Sequence, residues 1–126
     1  MKDDLSAWEN VAFASRLQRR RCNREQAYRA LGAVGLTHAA HLPARSLSQG
    51  QRKRVNLARL HVGQPAKIYI LDEPFNALDR SSVENLRSTL NSHLAQGALI
   101  VYTAHQDLAL QASKLHRVDL SRARPC

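Results

Sequence analysis

Two continuous apolar runs with an amphipathic stretch between them constrain this chain more than any other feature. The runs are Ile68-Tyr-Ile-Leu71 and Ala98-Leu-Ile-Val-Tyr102. A strand with one wet face alternates apolar and polar residues, whereas an unbroken apolar run marks a strand buried on both faces of a parallel sheet. Between them, Ser81-Ser-Val-Glu84 has capping-box spacing, and Val83, Leu86, Leu90 and Leu94 share one helical face. Gly97 then supplies a stop. A strand, a crossover helix and a second parallel strand form an α/β unit. A short helix after Gln106 and a last strand around His116–Leu120 are predicted to complete it.

The first half reads differently. Ser6-Ala-Trp-Glu9 is a capping box, and Val11, Ala14 and Leu17 continue an apolar stripe. Asn23-Arg-Glu-Gln26 opens a second helix with Ala27, Leu31 and Val34 on one face, closed by Gly35. Residues 36–46 form a connector containing Pro43, and a third helix is predicted from near Ser48 to about Leu60. Gly63-Gln-Pro65 breaks the pattern before the first apolar run.

Hydrophobic residues make up 44% and charged residues 23%, the balance of a globular domain and not of a disordered tail. No apolar run approaches the roughly 20 residues that span a bilayer, and the polar start Met1-Lys-Asp-Asp4 lacks a secretory core. Cys22 and Cys126 have no metal-ligand spacing and read as reduced thiols. The net charge of +9 suits a polyanionic partner, an anionic membrane surface or a nucleotide. Aromatics are only 5%, too few to interleave with the Arg clusters as a base-stacking platform, so nucleic acid is not an expected partner.

The chemistry concentrates where the first apolar run ends in Asp72-Glu73. The carboxyl ends of strands are where open α/β sheets bind ligands. Two adjacent carboxylates in an apolar setting are costly unless a cation or an activated water uses them. One can hold Mg²⁺ through its water shell while the other polarises an attacking water. Upstream, Leu47-Ser48-Gln49-Gly50-Gln51 opens a basic helix: its serine hydroxyl and unpaired first-turn N–H groups suit a phosphate, and Gly50 allows close backbone approach. The same serine equally serves as a plain helix cap. Downstream lie Asn76-Ala-Leu-Asp79 and, after the second run, Thr103-Ala-His105.

These four stretches, in this order, resemble the ABC-transporter ATPases. Leu47–Gln51 is similar to their signature motif, with Gln49 where Gly is commonest. Ile68–Glu73 resembles Walker B with the catalytic glutamate, Asn76–Asp79 the D-loop, and His105 the switch histidine. Leu5–Asn10, Leu47–Leu60, Asp72–Asp79 and Thr103–Gln106 look most like the branch that exports haem for cytochrome c maturation. The resemblance implies a partial P-loop NTPase fold of class α/β. Residues 1–62 would be the helical subdomain with the signature, and residues 63–126 the C-terminal half of the ATPase core. A mostly parallel sheet with flanking helices is expected there.

The resemblance also implies roles. Asp72 would hold Mg²⁺ through water, and Glu73 and His105 would be catalytic, as general base and γ-phosphate contact. Ser48, Gln49, Gly50 and Gln51 would touch ATP bound on a second, sandwiching ATP-binding subunit, and Asp79 would communicate across that interface. Transmembrane exporter subunits are the other implied partner, placing the chain on the cytoplasmic face of the inner membrane. One departure is large. No Gly-x-x-x-x-Gly-Lys-Ser/Thr pattern occurs among the 126 residues, so the β- and γ-phosphate cradle is missing from them. Expected consequences are ATP binding that needs the missing part, marginal stability, and a sheet with an uncovered edge and a partly exposed apolar face.

Overall fold

The computed structural model describes residues 1–104 and 109–118. Its first half is a three-helix unit of α1 (Ala7–Leu17), α2 (Arg24–Ala33) and α3 (Gln49–Ala58). Each helix begins with a reciprocal capping box, Ser6 with Glu9, Asn23 with Gln26 and Ser48 with Gln51. All three starts follow the sequence spacing, because a cap is a local hydrogen-bond pattern. The connector is more ordered than its composition suggests, containing single 3₁₀ turns at Thr37–Ala39 and Ala44–Ser46. Backbone bonds from Ala7 to Leu42, Trp8 to Ala40 and Ala44 to Leu5 stitch it to the start of α1. Asn10 locks the same corner, its Nδ2 donating to the carbonyls of Lys2, Leu5 and Ser6.

The buried face of α1 departs from the expected stripe. Ala7, Val11 and Ser15 point inward with Asn10 and Ala12, whereas Leu17 is 71% exposed. Small residues win these positions because α2 and the connector pack closely on that side. Ser15 satisfies its hydroxyl by donating to the Val11 carbonyl at 2.8 Å. Leu31, Leu36, Val55 and Val62 complete this core.

The second half contains β1 (Ile68–Leu71), α4 (Arg80–Ala95) and β2 (Leu99–Tyr102). The strands are parallel and in register, Ile68 opposite Leu99 and Leu71 opposite Tyr102. The start of α4 differs from the sequence reading: Asp79, not Ser81, is the cap, accepting from the Ser82 N–H at 2.8 Å. Glu84 consequently pairs with Arg87 instead of closing a box. Leu86 and Leu90 of α4, together with Leu57 of α3, form a second core against Leu71, Phe75, Leu78 and Ile100. His93, on the same face, is only 8% exposed and stacks on Tyr69 of β1 with ring centroids 4.6 Å apart.

The sheet is covered on one face only, which corrects the reading of strands buried on both sides. Ile68, Ile70, Leu99 and Val101 project from the other face and are between 51% and 80% exposed. No described element packs there, in line with the expected exposed apolar face. Residues 109–118 form neither helix nor strand. The helix placed after Gln106 falls partly, and the end of the last strand at Leu120 wholly, outside the described residues.

Candidate functional site

The first and second residues beyond the register define the site. Because Leu71 pairs with Tyr102, the next residues of both strands, Asp72 and Thr103, emerge side by side at the carboxyl edge. The Thr103 hydroxyl donates to Asp72 Oδ1 at 2.6 Å and accepts from the Glu73 backbone N–H at 2.8 Å. One side chain from β2 thus fixes both the first carboxylate and the backbone of the second. Thr103 was part of the sequence pattern but carried no role there; its function follows from register, which a single chain segment does not reveal.

Glu73 sits in the left-handed region, at φ 41°. That conformation is strained for a residue with a Cβ, and it is typical of sites where surrounding bonds over-determine the backbone. Here two bonds hold the backbone and a third holds the side chain. Thr103 holds the Glu73 N–H, Lys53 Nζ of α3 donates to the Glu73 carbonyl at 2.8 Å, and the Asn76 side chain donates to Glu73 Oε2. Pro74 is fully buried beneath the turn. Lys53 is a supporting residue that the sequence pattern did not single out, and Asn76 belonged to the pattern without this role.

The turn at Ser48 is exposed, as a phosphate contact requires, and Ser48 also caps α3. Its oxygen accepts from the Gln51 N–H at 3.2 Å, leaving the hydroxyl proton to be donated outward. The cap is therefore formed, and it leaves a hydroxyl proton with which a phosphate contact is compatible. Gly50 is needed for close approach, but to the chain's own backbone: a Cβ there would lie 3.0 Å from the Ala77 carbonyl oxygen. Gln49 and Gln51 flank it on the same turn. The Ser48–Gln51 turn is thereby packed beside Asn76–Asp79, which descends from the acidic loop. Asp79 is held below the usual carboxylate range by hydrogen bonds from Ser82 and then Ser81. His105 lies outside the described residues.

The donor set suits a magnesium ion held through water. Asp72 presents an exposed carboxylate with one oxygen already oriented by Thr103, leaving the other for the ion's water shell. Among the described residues, no three His, Cys, Asp or Glu side chains gather into a direct metal cage. Among them, too, no helix is long and apolar enough to cross a membrane.

A family model described as ABC transporter matches residues 1–76. The cytochrome c biogenesis ATP-binding export protein CcmA of Nitrosomonas europaea is 45% identical over 121 residues, 96% of this chain and 56% of its own length. The protein of the same name from Haemophilus influenzae is 38% identical over 96% of this chain and 56% of its own length. Among solved structures, an ABC transporter ATP-binding protein from Pyrococcus furiosus superposes with a TM-score of 0.72 at 24% identity, over 89% of this chain and 56% of that one. A dimeric ATP-binding cassette in a post-hydrolysis state, bound to ADP and Pi, gives 0.71 at 28% identity, over 82% and 47%. The chain spans about half the length of the curated relatives it matches.

Proposed function

The chain belongs to the ABC transporter ATP-binding family, and from that premise we propose that it forms part of the ATP-hydrolysing subunit of an export complex serving cytochrome c maturation, with haem as the exported group. Its fold is a part of the P-loop NTPase fold of ABC ATPases. The observation that carries the catalytic reading is the Asp72–Thr103–Glu73 arrangement, in which one hydroxyl orients a metal-holding carboxylate and the backbone of a second acid.

In this reading Mg²⁺ and ATP, when bound, supply an electrophilic γ-phosphate whose transfer to water depends on positioning and charge. Asp72 holds the ion's water shell. Glu73, aimed by its left-handed backbone and by Asn76, orients the attacking water and takes its proton. His105 contacts the γ-phosphate. Ser48, through its outward hydroxyl proton, and the Gln49–Gly50–Gln51 turn, through the first-turn N–H groups of Gln49 and Gly50, contact ATP held mainly by a second ATP-binding subunit. Asp79, next to that turn, links the two sites. The same proposal divides the chain at about residue 62 into helical subdomain and ATPase-core portion; the first packing cluster lies wholly up to that point, and the second joins Leu57 and Leu60 to the later residues. It places the chain on the cytoplasmic face of the inner membrane, docked on transmembrane exporter subunits.

The phosphate cradle must come from a P-loop segment absent from these 126 residues. Mixing the chain with a P-loop fragment, made from the other half of the Nitrosomonas relative, is the direct test. ATP hydrolysis is expected to appear, and to fall at least a hundredfold with Glu73→Gln. Hydrolysis that survives this substitution, or micromolar ATP affinity of the 126-residue chain alone, would refute the reading. The missing cradle also favours a second reading, a non-catalytic module that occupies the docking surfaces. Binding to the membrane subunits without any restored hydrolysis would support that one.

A further inference from the structure

At the end of α1 the chain reverses through a left-handed residue, Arg19 at φ 57°. Arg19 N–H donates to the Arg16 carbonyl and Arg20 N–H to the Ser15 carbonyl, which closes the helix and turns the following residues back toward α2. The reversal encloses an open concavity of roughly 650 Å³ lined by Arg16, Arg19, Arg20 and Arg21, with Cys22 and Asn23 beside them. No carboxylate lines it. The ion pairs among the described residues engage other arginines: Arg29 with Glu25, Arg45 with Asp4, Arg52 with Asp3 and Arg87 with Glu84. Arg20 alone of the four has a defined task, donating to the Val62 carbonyl at 3.0 Å across to the end of α3.

We propose that this α1–α2 concavity is a binding site for a phosphate-bearing anion, separate from the ATP-hydrolysing site. Arg16, Arg19 and Arg21 put three positive charges on this one lining with no carboxylate beside them, and an anion carrying several negative charges offsets that concentration of charge. The planar fork of arginine matches the oxygens of phosphate two at a time. The recess is wide enough for a small polyanion and open enough for a headgroup presented by a surface. None of its lining residues belongs to the Ser48 turn or the acidic loop. The ligand chemistry has two possible sources, a free polyphosphate or the headgroups of an anionic membrane.

The test uses the 126-residue chain, inorganic triphosphate followed by calorimetry, and co-sedimentation with vesicles of phosphatidylglycerol and phosphatidylcholine against phosphatidylcholine alone. The triple variant Arg16→Gln, Arg19→Gln, Arg21→Gln leaves Arg20 and its structural bond intact. A control triple, Arg29→Gln, Arg45→Gln, Arg87→Gln, removes the same charge elsewhere. The concavity triple is expected to weaken binding at least tenfold and the control at most threefold. Binding of triphosphate but not vesicles marks a free phosphate ligand, and binding of charged vesicles marks a lipid surface; either supports the site. If the triple variant fails to fold, Arg21→Gln alone is expected to weaken binding severalfold. Absence of binding to both probes at low salt, or equal losses in concavity and control variants, overturns the proposal.

Discussion

Replacing Glu73 by glycine should stabilise this chain relative to replacing it by alanine, reversing the usual order of these two residues. At an ordinary helical or extended position glycine is less stable than alanine by about 0.5–1 kcal/mol, because its unfolded chain has more freedom to lose. Glu73 is not at such a position, since its φ is 41°. There a Cβ collides with neighbouring backbone, at a cost of about 1–2 kcal/mol that glycine avoids. Both substitutions remove the side-chain bond to Asn76, and both retain the backbone bonds from Thr103 and Lys53 that impose the conformation. The comparison therefore isolates the backbone, with glycine ahead by roughly 0.5–1 kcal/mol once the two opposing effects are combined. For a chain of this size that is a rise of about 2–5 °C in melting temperature. Urea and thermal unfolding of the two variants, followed by far-UV circular dichroism, measure the difference. A glycine variant less stable than the alanine variant would refute the claim that strain is stored beneath the proposed catalytic glutamate.

Stability should also fall with pH below neutrality because of His93. Burial lowers its imidazole pKa, opposed by the Leu60 backbone and assisted by the charge of Arg20. The unfolded chain then binds its proton at higher pH than the folded one, so this contribution is complete above the ordinary histidine pKa and declines as pH drops below about 6.5, by up to ~1.4 kcal/mol per pH unit. His61 shifts the same way, through burial and then the His93 charge, and adds to the same decline. His93→Phe, which keeps a ring against Tyr69, should flatten the slope between pH 5.5 and 7; an unchanged slope would count against His93. Leu90→Ala should cost about 2–5 kcal/mol in urea unfolding, since Leu90 is fully buried where α3, α4 and the sheet meet, whereas Leu17→Ala should change little. Gly50→Ala should lower stability by about 1–2 kcal/mol through displacement of the Ala77 carbonyl, read by the same unfolding assay; a neutral result would mean that the two turns separate freely.

Local hydrogen-bond patterns were legible in the residues themselves. The helix starts at Ser6, Asn23 and Ser48, the Gly35 stop and the parallel strand pair with its intervening helix each depend on a few neighbouring positions, and the fold carries them as read. The acidic pair at a strand's end and the exposed Ser48 turn were legible for the same reason. Tertiary structure alone decided what those residues touch. Thr103 reaches Asp72 and Glu73 only because two segments some thirty positions apart pair in one register, and Lys53 reaches the Glu73 carbonyl only because α3 lies against the loop. The rotated face of α1 and the cap at Asp79 have the same origin, since close packing and loop geometry choose among caps and stripes that local spacing leaves equivalent.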